Sequence, residues 1–89
     1  MHIIRRKSFD KSIAKLDKKI IMKVIDSLEV FQKNPLDPQL HNHSLKWKIA
    51  WFRSLNVTGD YRIIIRELSN NSYEIVELID VGTHSQLYG

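Results

Sequence analysis

Two periodicities divide this chain. Up to residue 33 the apolar residues recur at three- and four-residue spacing: Phe9, Ile13 and Leu16 first, then Ile21, Val24, Ile25, Leu28 and Phe31. That spacing predicts two amphipathic helices, each burying one stripe. Ser8 and Asp17 stand at their starts as side-chain caps, and the short apolar pair Ile3-Ile4 ahead of them predicts an N-terminal strand. Beyond Pro38 the pattern shortens to alternation, with Gly59 and Asn70-Asn71 as turn signals, which predicts strands over about 43–48, 51–57, 61–68 and 73–81. Hairpin connections make the last three strands antiparallel. The expected architecture is α+β: an N-terminal strand, a helical hairpin, then a β-meander, with the helices on one face of a sheet of four to five strands.

Composition narrows the classes available. At 89 residues the chain has room for one domain, spanning 1–89, and none for a doubly wound cofactor domain. With 43% hydrophobic and 27% charged residues it is too apolar for a disordered tail. The net charge is +4, but unevenly placed: residues 1–48 carry eleven Lys and Arg against five acids, residues 49–89 three against five. A basic N-terminal half favours an anionic partner, with nucleic acid the leading class. Lys11, Lys15, Lys18, Lys19 and Lys23 lie largely off the apolar stripe, so they form either a solvated face or a surface for phosphate or a partner. No cysteine is present, which excludes disulfides, thiolate metal sites and thiol nucleophiles. No apolar run approaches the roughly 20 residues of a membrane helix and no signal segment is apparent, so the expectation is a cytoplasmic protein with no membrane partner.

Few residues carry chemistry on their own. His41 and His43 would share one strand face about 7 Å apart, but a metal site needs a third ligand and none has diagnostic spacing, so no metal or other cofactor is expected. Thr58-Gly59-Asp60 reads as a hairpin turn, with Gly supplying positive φ and Asp bonding back to the backbone. Arg62, Ile64 and Arg66 alternate onto one face, where the guanidinium groups either fork onto phosphate or pair across strands with Glu74 or Asp80. In the tail, His84 follows Gly82, read as a turn, directly behind an apolar strand. Histidine is the side chain suited to proton transfer near neutral pH, and Asp60 would join it if the sheet ends converge. Trp47, Trp51, Phe52 and Tyr61 are either core or a stacking surface for bases.

Three stretches carry a resemblance: His43-Ser-Leu-Lys46, Phe52-Arg-Ser-Leu-Asn-Val-Thr-Gly-Asp-Tyr-Arg62, and Asp80-Val-Gly-Thr-His84-Ser-Gln-Leu-Tyr88. Together they resemble the RelE/ParE toxin superfamily, and within it the YafQ-like messenger-RNA interferases, over the whole chain. The resemblance implies a ribosome-dependent, metal-independent endoribonuclease that inhibits translation as the toxin of a bacterial type II toxin-antitoxin pair. It implies His43, Asp60 and His84 as catalytic residues and Arg62, Lys46, Tyr88 and Asn56 as contacts to RNA or its phosphate. A cognate antitoxin and messenger RNA on the ribosome are the implied partners, with operator DNA bound only through the toxin-antitoxin complex. Two positions depart from the pattern: Asn56 stands where the family has a further catalytic histidine, and Trp47 where it has a glycine. A ParE-like toxin that inhibits DNA gyrase by binding, without RNA cleavage, is the alternative on the same fold.

Overall fold

Helix formation begins where the side chains dictate, with one exception. The computed structural model describes residues 1–45 and 51–88. β1 (His2–Arg5) leads into α1 (Lys7–Ile13), and α2 (Lys18–Lys33) follows. Asp17 caps α2 as its sequence position predicts, its carboxylate accepting from the Ile20 amide at 3.0 Å. Ser8 does not cap α1. The cap position is Arg6, with no side-chain bond, and Ser8 lies inside the first turn with its hydroxyl donating to the Ile79 carbonyl. That hydroxyl ties the helix to the sheet.

The buried stripe of α2 is also rotated from the one expected. Val24, Ser27 and Phe31 are buried, with Ile20, Leu28 and Val30 packed against the core, whereas Ile25 is 51% exposed. A serine on the buried line hides it from a reading based on apolar residues alone. The basic residues at 11, 15, 18, 19 and 23 are all exposed. Past α2, Asp37 caps a 3₁₀ turn (Pro38–Leu40). Among the described residues no helix is long and apolar enough to cross a membrane.

The sheet has five strands, adding β2 (His43–Ser44), β3 (Phe52–Thr58), β4 (Tyr61–Glu67) and β5 (Ile75–Thr83), in the order β1-β5-β4-β3-β2. β1 pairs parallel to β5 and every other pair is antiparallel. Gly59, at φ 48°, and Asp60 make the two-residue turn between β3 and β4. One face carries Leu55, Ile63, Ile65, Leu78 and Val81, which with Phe9, Val24 and Phe31 of the helices form the core. The register puts Phe52, Ser54 and Asn56 of β3 with Arg62, Ile64 and Arg66 of β4 on the opposite face, which α1 and α2 leave uncovered. Gly82, expected at a turn, is an ordinary residue of β5, which runs on to Thr83. A third helix, α3 (His84–Tyr88), follows without a break.

The β4–β5 connection is built around one buried carboxylate. Glu67, 4% exposed, accepts from the Asn71 amide at 2.7 Å, from the Ser69 and Tyr73 amides at 3.0 Å and from the Ser69 hydroxyl. Asn70, Asn71 and Tyr73 all take positive φ to aim these amides inward. Burial alone raises a carboxyl pKa; here the hydrogen bonds from Ser69, Asn71 and Tyr73 outweigh it and hold Glu67 below its ordinary value of 4.5. A depressed folded-state value means that the stabilisation is fully present above the unfolded value and is lost as pH falls through the folded one. Glu67→Gln is therefore expected to lower stability near neutral pH by on the order of 2 kcal/mol and to flatten the acid limb of the stability profile below about pH 4.5. Urea denaturation of both proteins from pH 7 to pH 3 measures both effects; superimposable profiles would remove Glu67 from this role.

Candidate active site

α3 closes over the end of the sheet because four consecutive residues encode a reciprocal cap. The Gln86 amide donates to Thr83 Oγ1 at 3.2 Å, and the Thr83 amide donates to Gln86 Oε1 at 2.9 Å. Gly82 makes room for it: a Cβ there would stand 2.9 Å from Gln86 Oε1. The helix start is also fastened to the β3–β4 turn, since the His84 amide donates to the Asp60 carbonyl at 3.0 Å. One turn of helix brings Tyr88 edge-on to His84, with ring centroids 4.5 Å apart. The Tyr88 hydroxyl reaches across to Ser54 Oγ at 2.9 Å, and Ser54 is fully buried.

The facing wall is a tight loop. His41 closes the 3₁₀ turn in the left-handed region, at φ 44° and ψ 49°, and its carbonyl lies 2.8 Å from His43 Nδ1. A carbonyl only accepts, so Nδ1 is the donor in this contact, and Nε2 is the ring nitrogen left outside it. The two imidazole centroids are 4.9 Å apart. Asn42 pins the loop between them: its amide nitrogen donates to the Pro35 carbonyl and the Tyr73 hydroxyl, both at 3.0 Å, and its oxygen accepts from Arg53 Nε.

Between these walls lies a cleft of about 500 Å³ lined by His41, His43, Leu45, Ser54, Asn56, Arg62, His84 and Tyr88. The floor comes from the uncovered sheet face, where Asn56 is in register with Arg62 and Arg62 with Gly82. Arg62 Nη1 donates to the Gly59 and Tyr61 carbonyls at 2.8 and 2.9 Å, and no carboxylate pairs with it among the described residues. Arg66 differs. It pairs with Glu77, not with Glu74 or Asp80, and Glu77 also holds Arg6 at 3.1 Å. Asp80 accepts from the Ser12 hydroxyl and the Val81 amide instead.

Of the residues singled out in the sequence, His41, His43, Asn56, Arg62, His84 and Tyr88 line this one cleft. Asp60 does not line it; it is exposed at the turn and meets His84 through its main chain. Lys46 and Trp47 lie outside the described residues. Trp51 is 64% exposed, Phe52 lies under the Arg66 guanidinium, and neither these two nor Tyr61 lines the cleft. His41 and His43 do lie side by side, although His41 stands in a turn rather than on a strand with His43. Among the described residues no cluster of three or more His, Cys, Asp or Glu side chains is placed to hold a metal ion. Sequence reasoning missed Ser54 and the cap formed by Thr83 and Gln86, although Thr-x-x-Gln is a readable helix-start signal.

This fold is that of the RelE/ParE–YafQ toxin superfamily. YafQ from E. coli strain BL21(DE3) superposes with a TM-score of 0.80 at 21% identity, over 98% of this chain and 97% of that one. HP0894 from Helicobacter pylori, described as a conserved hypothetical protein, gives 0.71 at 28% identity over 98% of each chain. A chain of the toxin-antitoxin complex RelBE2 from Mycobacterium tuberculosis gives 0.72 at 18% identity, over 92% of this chain and 95% of that one. No family model matches the chain, and no curated protein matches it.

The position of α3 rests on Gly82, so Gly82→Ala is expected to displace Gln86 and open the reciprocal cap, at a cost of about 1 kcal/mol. Amide exchange over residues 84–88 then rises about five-fold, while β4 amides keep their protection. Unchanged exchange in the tail would show that the cap does not hold α3.

Proposed function

We propose that this chain is the toxin of a bacterial type II toxin-antitoxin pair and that it cleaves messenger RNA on the ribosome by acid-base catalysis, without a metal. The observation that carries this reading is the cleft itself: two imidazoles, His43 and His84, and a guanidinium with no carboxylate partner among the described residues, Arg62, line one depression on the uncovered sheet face. RNA cleavage by internal attack has three requirements: removal of the 2′-hydroxyl proton, charge compensation at the phosphorane, and a proton for the departing 5′-oxygen.

In this reading His43 is the base. Its Nδ1 is engaged by a carbonyl, which leaves Nε2 to take the 2′-hydroxyl proton. Asp60, the other candidate, does not line the cleft, and its role is to hold the start of α3 through its carbonyl. His84, on the facing wall with its ring braced by Tyr88, is the acid. Arg62 offsets the phosphorane charge, and Asn56 beside it hydrogen-bonds the RNA; Tyr88 completes the wall and Lys46 adds cationic character. The base gains one proton and the acid loses one, so the step is balanced.

An antitoxin partner is supported by the same fold occurring in a toxin-antitoxin complex, and the exposed lysines of the helical hairpin suit an acidic one. The site of action is the cytoplasm, where ribosomes translate, and operator DNA is bound only by the assembled pair.

Cleavage of a defined message in a purified translation system, with a ribosome-free parallel, tests the proposal. Wild type is expected to cut at discrete sites only with ribosomes, and His84→Ala is expected to slow cleavage at least about 100-fold. Arg62→Gln should lose more than Arg62→Lys, because Lys keeps the charge and loses only the fork; equal losses would argue against bidentate contact. An intact message with folded wild-type protein overturns the reading and leaves gyrase inhibition as the alternative to assay.

A further inference from the structure

The cleft holds one more imidazole than the scheme above uses. His41 lines it beside His43, the two rings tilted 51° to each other with centroids 4.9 Å apart. The backbone does not call for a histidine there. At φ 44° and ψ 49° the residue is left-handed, a conformation that glycine or asparagine adopts at less cost. Nor does the bond to His43 require it, since the acceptor is the main-chain carbonyl of His41, which any residue supplies. What a histidine adds at this position is a ring in the cleft, next to the base.

The polar side chains of the cleft floor are Ser54, whose hydroxyl accepts from Tyr88, and Asn56 and Arg62, in register with each other. Asn56 offers a carboxamide that hydrogen-bonds but does not exchange protons, and Arg62 stays charged. Proton transfer at this end of the cleft therefore falls to the two imidazoles, with His84 across from them and the Asp60 carboxylate outside.

Resting on the ribonuclease reading of this cleft, we infer that His41 is a further catalytic residue: a second imidazole at the 2′-hydroxyl end that shares with His43 the proton taken from that hydroxyl. The bond formed is from the 2′-oxygen to phosphorus and the bond broken is from phosphorus to the 5′-oxygen. The proton taken up by the His41–His43 pair is matched by the one that His84 gives to the leaving oxygen.

His41→Asn removes the ring while suiting the left-handed backbone and keeping the carbonyl, and His41→Gly does the same if the first variant loses stability in urea. Both are compared with wild type for single-turnover cleavage of ribosome-bound message from pH 5 to pH 9. The expected result is a loss of at least about ten-fold near neutral pH with a changed acid limb of the pH–rate profile. A rate within two-fold of wild type overturns the inference and leaves the ribonuclease reading intact. A uniform loss with the limb unchanged also overturns it, because it assigns His41 a structural role. Absence of cleavage by wild type overturns the ribonuclease reading and this inference with it.

Discussion

Two helices cover one face of a five-stranded sheet, and among the described residues no such layer covers the other. That constraint organises the rest of the molecule. On the covered side the strands present the apolar core, with Leu55, Ile63 and Ile65 fully buried. On the open side each strand must satisfy its own side chains. β4 and β5 do so at one end with the Arg6–Glu77–Arg66 cluster, and at the other α3 folds down so that Tyr88 meets Ser54. Between α3 and the His41–His43 loop the open face stays uncovered among the described residues, and it is there that Asn56 and Arg62 line the cleft. The site is a consequence of incomplete coverage, with both its walls built from short elements of the chain.

Charge placement follows from the same constraint and differs from what residue counts along the chain suggest. The C-terminal half is the more acidic one, yet the cleft floor it builds has a cationic character. Its carboxylates are engaged elsewhere: Glu67 in the β4–β5 loop, Glu77 between two arginines, Asp80 against Ser12. Glu74 and Asp60 are exposed. With Arg66 neutralised and Arg62 not, a single guanidinium is left facing the cleft among the described residues. A buried ion pair contributes little net stability, but here it also separates a structural arginine from one with its charge available to an anion.

The alternation of the strands, the Gly59 and Asn70-Asn71 turns and the Asp17 cap were legible because each is a local demand: a period of two, a positive φ, an oxygen before a helix. The register then brought His43, Asn56, Arg62, His84 and Tyr88 together. Local rules failed where a residue has two possible uses. Ser8 is a good cap, but its hydroxyl meets a strand carbonyl 71 positions away. Gly82 favours a turn, but it is needed for the close approach of Gln86. Asp60 sits in the expected turn, yet what it contributes to the site is a carbonyl, which every residue has and no motif reveals. The pairing of His41 with His43 was legible from their spacing, but not its geometry: a one-residue left-handed turn at His41 takes it off the strand, so counting along a strand does not apply across it.

The His41–His43 loop is held by groups distant in sequence, and their order is informative. Glu67 fixes the Tyr73 amide, the Tyr73 hydroxyl accepts from Asn42, and Asn42 stands between the two histidines and takes Arg53 on its remaining oxygen. The Tyr73 ring is meanwhile edge-on to Phe31 of the core. A buried carboxylate at one end of the sheet is thus joined to the His41–His43 loop by two side chains, one of them locked by packing. A side chain that acts on a bound ligand must be held to within a fraction of an ångström to be effective, and although Leu40 and Leu45 on either side are buried, His41 and His43 themselves are exposed and gain little of that precision from packing. Here hydrogen bonds from neighbouring loops provide it, and they let so small a domain keep an open cleft with fixed walls.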